Sequence, residues 1–128
     1  MLVLGLTACG EEKDKEALSK TCPAAPTALA TRPAIPAQFP DAQGIKYTAL
    51  KKDGPTTIVS GYLEDAIGPA HQAYSAALKA AAGYSITKEE QDAADSEVNF
   101  AGHGKSGQVK MVQSCESRTT VTITIRPA

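Results

Sequence analysis

With 128 residues, 13 basic and 14 acidic side chains and a formal net charge of −1, the chain has room for one domain of ordinary size plus a tail. Such a balance gives no global field to recruit nucleic acid, and the absence of Trp with 5% aromatics leaves few platforms for stacking bases, so no nucleic-acid partner is expected. The apolar fraction is 42%, much of it alanine, which buries little area per side chain; a thin core that leans on any covalent cross-link follows.

Met1-Leu-Val-Leu-Gly-Leu-Thr-Ala-Cys9 is an apolar run that closes on small residues and a cysteine, and Gly10-Glu-Glu-Lys-Asp-Lys-Glu16 follows it at once. An abrupt change from apolar to charged after small residues is the pattern of a secretory signal at its cleavage site. Leu6-Thr7-Ala8-Cys9 resembles the lipobox of bacterial lipoproteins, where one aliphatic and two small residues precede the cysteine. The resemblance implies that the Cys9 thiol takes a diacylglycerol, that Cys9 becomes the mature N-terminus with acyl chains of the palmitate class, and that the protein sits lipid-anchored on the exported side of a cell membrane, in the envelope. Residues 1–8 are then what remains of the signal; the run is short for a complete apolar region and no Lys or Arg precedes it, which places an authentic start upstream. No other stretch approaches the ~20 apolar residues that a membrane-spanning helix needs.

Residues 9–38 read as a tether, first charged and then rich in Pro, Ala and Thr from Cys22 to Pro36. Prolines at this density favour extended backbone and a semi-rigid spacer. Pro33-Ala-Ile-Pro36 also has the spacing of a proline-rich docking peptide, but only Arg32 stands beside it, and the spacer is preferred. With Cys9 lipidated, Cys22 and Cys115 remain, and in an exported chain they are expected to pair, turning the tether into a strap. The alternatives are a free thiol at Cys115 or a metal pair. No His or Cys stands at ligand spacing, so neither a metal nor a cofactor is expected.

The folded domain is expected over residues 39–128. Ile45, Tyr47 and Ala49 alternate with Lys46 and Thr48, predicting a strand exposed on one face; Asp53-Gly54-Pro55 turns it into the β-branched run Thr56–Leu63. Asp65 is placed to cap a helix that tolerates Pro69 in its first turn, runs through alanines to Ala82 and stops at Gly83. Its apolar stripe is Ile67, Ala70, His71, Tyr74, Ala77, Leu78 and Ala81. Tyr84–Thr87 reads as a short strand and Lys88–Asp95 as a turn or short exposed helix. Ser96–Ala101, Gln108–Cys115 and Thr119–Ile125 read as strands, the last with Val121, Ile123 and Ile125 on one face and Thr120, Thr122 and Thr124 on the other. Gly102–Gly107 is expected to be a loop.

Four features invite chemistry. His71 and Tyr74, three apart on the helix, could share a pocket or move a proton, although no carboxylate or nucleophile is placed beside them by the sequence. Asp92 with Asp95, or Glu89 with Glu90, suggest calcium or acid–base work but lack the glycine and alternating oxygen ligands of an EF-hand loop. Gly104-Lys-Ser106 has the tail of a phosphate-binding loop, yet Asn99 stands where its first glycine belongs and a strand follows instead of a helix. His103 remains as a residue of that loop. A catalytic site needs convergent groups and only two histidines exist to anchor one, so catalysis is not the preferred reading.

The order β-β-α-β-β-β-β or close to it predicts an α+β fold, a single antiparallel sheet of about five to six strands with one helix on one face. The outward residues of that sheet are largely Thr, Lys, Gln and Glu, so no large apolar binding surface is advertised. The preferred function is a non-catalytic, membrane-anchored envelope lipoprotein that binds another envelope protein or polymer. The alternative is a small hydrolase or ligand-binding lipoprotein using His71, Tyr74 or His103.

Overall fold

The computed structural model describes residues 18–128, so Cys9 and the charged run after it lie outside the described residues. In chain order the elements are β1 (Lys46–Asp53), β2 (Thr56–Leu63), helix α1 (Ile67–Ala80), β3 (Tyr84–Gln91), β4 (Asp95–Gly102), β5 (Lys105–Cys115) and β6 (Arg118–Pro127). The strands make one antiparallel sheet in the order β1-β2-β6-β5-β4-β3. The class is α+β, with one antiparallel sheet and one helix, and four strands follow the helix.

Strand β6 lies at the centre because its alternation is complete. Val121, Ile123 and Ile125 are buried on the inner face, and Thr120, Thr122 and Thr124 point outward. Both of its neighbours, β2 and β5, present matching faces: Val59 and Val109 both stand opposite Ile123. A central strand satisfies its backbone on both sides, and its face residues, with the tight turn from Cys115 to Arg118, set its register.

Three sequence expectations change here. Lys88–Gln91 is neither turn nor helix but the second half of β3, where Glu89 pairs with Val98 and Glu90 with Glu97 across the ladder. Charge is cheap there because β3 is an edge strand, and the reversal waits until residues 92–94. The supposed loop 102–107 shrinks to a two-residue turn, His103-Gly104, both at positive φ (53° and 74°), while Lys105–Gly107 already belong to β5. Finally, Asp65 does not cap α1: no side chain of the N-cap residue, Ala66, bonds the helix, and the Ile67 N–H donates to Gln113 Oε1 at 3.0 Å. The Asp65 carbonyl accepts the Thr119 hydroxyl instead, at 2.8 Å.

Two segments share the task of covering the inner face. Helix α1 runs over β3, β4, β5 and β6 from the Cys115 end, where Ile67 meets Gln113, to the His103 end, where the Ala82 carbonyl meets His103, and buries Ile67, Ala70, His71, Tyr74, Ser75 and Leu78. The other cover is a strap. Ser19 accepts the Glu116 N–H at 2.8 Å, the sulfurs of Cys22 and Cys115 lie at disulfide distance with their Cα atoms 5.4 Å apart, and Arg118 donates to the Pro23 carbonyl at 2.7 Å. From there the chain runs beside Tyr62 and Thr120, and the Leu29 N–H pairs with the Tyr47 carbonyl at the free edge of β1. It then enters the inner face and buries Ile35, Phe39 and Ala42. Ala37 and Gln38, both at positive φ (62° and 52°), form the bend that drives Phe39 down between Phe100 and Tyr84, at ring-centroid distances of 4.9 and 5.8 Å.

Candidate functional site

The residues singled out for chemistry are kept apart by the fold. His71 is buried and its Nε2 meets Glu89 Oε1 at 2.9 Å, while Nδ1 has no partner among the described residues. The tautomer with its proton on Nε2 satisfies that contact. Tyr74 lies one turn further along α1 and points elsewhere, its buried hydroxyl beside the Tyr47 phenol without ordinary hydrogen-bond geometry to any partner. Burial, reinforced by the Tyr47–Asp41 pair, pushes the Tyr74 hydroxyl well above its usual range. His103 is at the far turn, where Nε2 meets the Ala82 carbonyl at 2.9 Å and the ring packs at a tilt against Tyr84, with centroids 4.8 Å apart.

The carboxylates are dispersed as well. Glu89 turns inward to His71, Glu90 outward to Lys88 at 3.5 Å, and Asp95 toward Lys110 at 3.8 Å. Among the described residues no group of three or more His, Cys, Asp or Glu is placed to share a metal, and no helix is long and apolar enough to cross a membrane.

Phenol chemistry belongs to the strap. Arg32 Nε bonds both oxygens of Asp41 at 2.9 and 3.0 Å, its Nη2 donates to the Phe39 carbonyl at 2.8 Å, and Tyr47 donates its hydroxyl to Asp41. Burial first and the Asp41 carboxylate second raise the Tyr47 hydroxyl far above its ordinary value. The network fixes residues 32–41 against β1.

What is left for recognition is the sheet itself. Its two free edges are ill suited to adding a strand: β1 has a register break at Tyr47/Ala49 and β3 one at Ile86/Lys88, and β1 carries three lysines where β3 carries Lys88 with Glu89 and Glu90. The outer face, opposite α1, is bare over most of its width. Register arranges its side chains in rows across the strands. Nearest the His103 end stand Asp53, Thr56, Arg126, Ser106 and Ala101; the next row is Lys51, Ile58, Thr124, Gln108, Asn99 and Lys88. A third holds Ser60, Thr122, Lys110 and Glu97, the last two joined at 3.1 Å, and the Glu97 carboxylate raises the Lys110 ammonium above its ordinary value.

Between β3 and β6 these rows enclose a shallow polar depression of about 360 Å³, lined by Thr87, Asn99, Phe100, Ser106, Gly107, Gln108 and Arg126. Gln108 donates to Asn99 Oδ1 at 3.0 Å and, more loosely, to Glu97 Oε1 at 3.3 Å, which ties the two amides together. Gly107 contributes backbone only, since a Cβ there would run into the Thr124 carbonyl and stand 2.8 Å from the Phe100 ring. The alternation of β5 and β6 is the signal that puts Gln108 and Thr124 outward; Arg126 and Asn99 join them only through register. Comparison with known protein families, with characterised proteins and with solved structures finds no match for the chain.

Proposed function

We propose that the protein is a lipid-anchored, non-catalytic module of the bacterial cell envelope, tethered through Cys9 and presenting the bare face of its sheet to another envelope component. The observation that carries this reading is the Cys22–Cys115 pair at disulfide distance. Disulfides persist in oxidising compartments, and pairing these two leaves Cys9, in its lipobox setting, as the cysteine left over for lipid. In this reading residues 1–8 are signal, the tether runs from Cys9 and residues 39–128 carry the sheet and helix in the order β-β-α-β-β-β-β. The dispersal of His71, Tyr74 and His103 favours binding over catalysis, because a reaction needs groups that converge on one point.

Intact mass of the membrane-extracted protein, with and without reductant, tests the proposal. A species beginning at Cys9 and heavier by a diacylglycerol, gaining about two mass units on reduction as one disulfide opens, is the expected result. An unmodified chain with three free thiols would overturn it.

A further inference from the structure

Charge is sorted along the molecule in a way that the near-zero total conceals. At the Cys115 end, where the strap is fastened, Glu64, Asp65, Asp92, Asp95 and Glu116 cluster, and the Arg118 guanidinium there is spoken for by Glu64 at 3.3 Å. At the His103 end stand Lys51, Lys52, Lys105 and Arg126, none of which makes an ion pair among the described residues; Asp53 is the carboxylate on that side. Lys20 and Lys46 also stand unpaired at the Cys115 end, so the sorting is one of carboxylates: a chain held by residues before Cys22 turns most of its unpaired acidic groups toward its attachment and leaves the far end with cations and few carboxylates. The polar depression opens at the cationic end, with Arg126 in its lining.

From this we infer that the depression binds a glycan strand bearing carboxylates, Arg126 meeting the acid group and Asn99, Gln108, Ser106 and Thr87 meeting sugar hydroxyls. It deepens the envelope reading above by naming the partner. Sugars present dense hydroxyls at fixed angles, which planar amides and short hydroxyl side chains satisfy without burying a large apolar area. A protein partner would ask for an apolar patch at the centre of its footprint, and the exposed large apolar residues, Leu29 and Val112, lie outside this depression. A guanidinium fork matches carboxylate and phosphate alike, and carboxylate is favoured because the depression is made of strand residues with no helix N-terminus to receive a phosphate. Glu97 would repel the ligand but for Lys110, which holds it at 3.1 Å; Lys51 and Lys105 flank the site and add a salt-sensitive attraction.

The test is a titration of the full, unlipidated chain with oligogalacturonate, read by backbone amide NMR shifts. Shifts confined to Thr87, Asn99, Ser106, Gln108, Thr124 and Arg126 are expected, with the fully methyl-esterified oligomer bound about tenfold more weakly or worse. R126Q should weaken binding by about tenfold, and R126K, which keeps the charge and loses the fork, should fall between. Absence of shifts at low ionic strength, equal binding of the methyl ester, or equal binding of a polyglycerol phosphate would each overturn the proposal. So would R126K binding as well as the parent. Because the titration needs no lipid, a lipidated protein that ignores the oligomer loses this site and keeps its address, and a chain unmodified at Cys9 that binds it does the reverse.

Discussion

The sheet's inner face is covered twice, by means that share nothing. Helix α1 is locally encoded: alanines favour it, and an apolar stripe aims it at the sheet. The strap has no period. It is held by separated anchors, namely the Cys22–Cys115 pair, the Leu29 pairing with β1, the Arg32–Asp41–Tyr47 network, and Ile35 and Phe39 in the core, with the Tyr84 hydroxyl bonding the Ala37 carbonyl at 2.6 Å. Propensity suffices to cover a sheet where the chain can coil; where prolines forbid coiling, cross-links and single large side chains do the same task.

That contrast is open to measurement. Replacing Cys22 and Cys115 by Ser should have the largest effect, about 4–5 kcal/mol in denaturant unfolding by the chain-entropy model, and amide exchange should show residues 19–45 losing protection before 67–80 does. Equal loss in both segments would erase the distinction. Next, Phe39→Ala should cost about 3–5 kcal/mol, no less than Leu78→Ala on the helix, since both side chains are fully buried. A loss under about 1 kcal/mol would make the strap an ornament instead of part of the core.

Alkali should act where β1, α1 and the strap meet. Tyr47 and Tyr74 are held protonated by burial, so their hydroxyls ionise later in the fold than in the unfolded chain, whose phenols titrate near ~10. The unfolded state sheds its protons first; stability is therefore full below pH ~10 and falls above it, by up to about 1.4 kcal/mol per pH unit for each phenol. Tyr47→Phe should flatten that limb in urea unfolding followed from pH 9 to 11. Smaller still is Arg32→Ala, whose half-exposed pair with Asp41 should contribute about 0–1 kcal/mol. Smallest is Tyr74→Phe, which removes a buried hydroxyl without a well-formed bond and should leave stability unchanged or slightly higher.

Legibility followed the same division. The helix and β6 could be read because their periods are strict, although the reading of β6 stopped at Ile125 and left Arg126 outside the strand. Lys88–Gln91 was opaque because its acidic residues suit a solvated helix as well as an edge strand, and only pairing with β4 decides. Asp65 looked like a cap since capping is usually local, whereas Gln113 reaches α1 from a strand 46 residues away in sequence. Ile35 in the strap carries no pattern at all: an isolated apolar residue among prolines and alanines gains meaning from the cavity it fills. The depression was half visible. Gln108 and the outward threonines follow from alternation, but the meeting of Asn99 with Arg126 across β5 is a matter of register, which sequence does not print.

The cross-link between Cys22 and Cys115 has a consequence for survival under proteolysis. Residues 23–31 are exposed and irregular, the kind of segment that proteases nick first. A cut there leaves two pieces: a short N-terminal peptide containing Cys22, and the body containing Cys115. Joined through sulfur, they run together on a non-reducing gel and part only when reductant is added, so a clipped molecule stays attached to whatever holds its first residues.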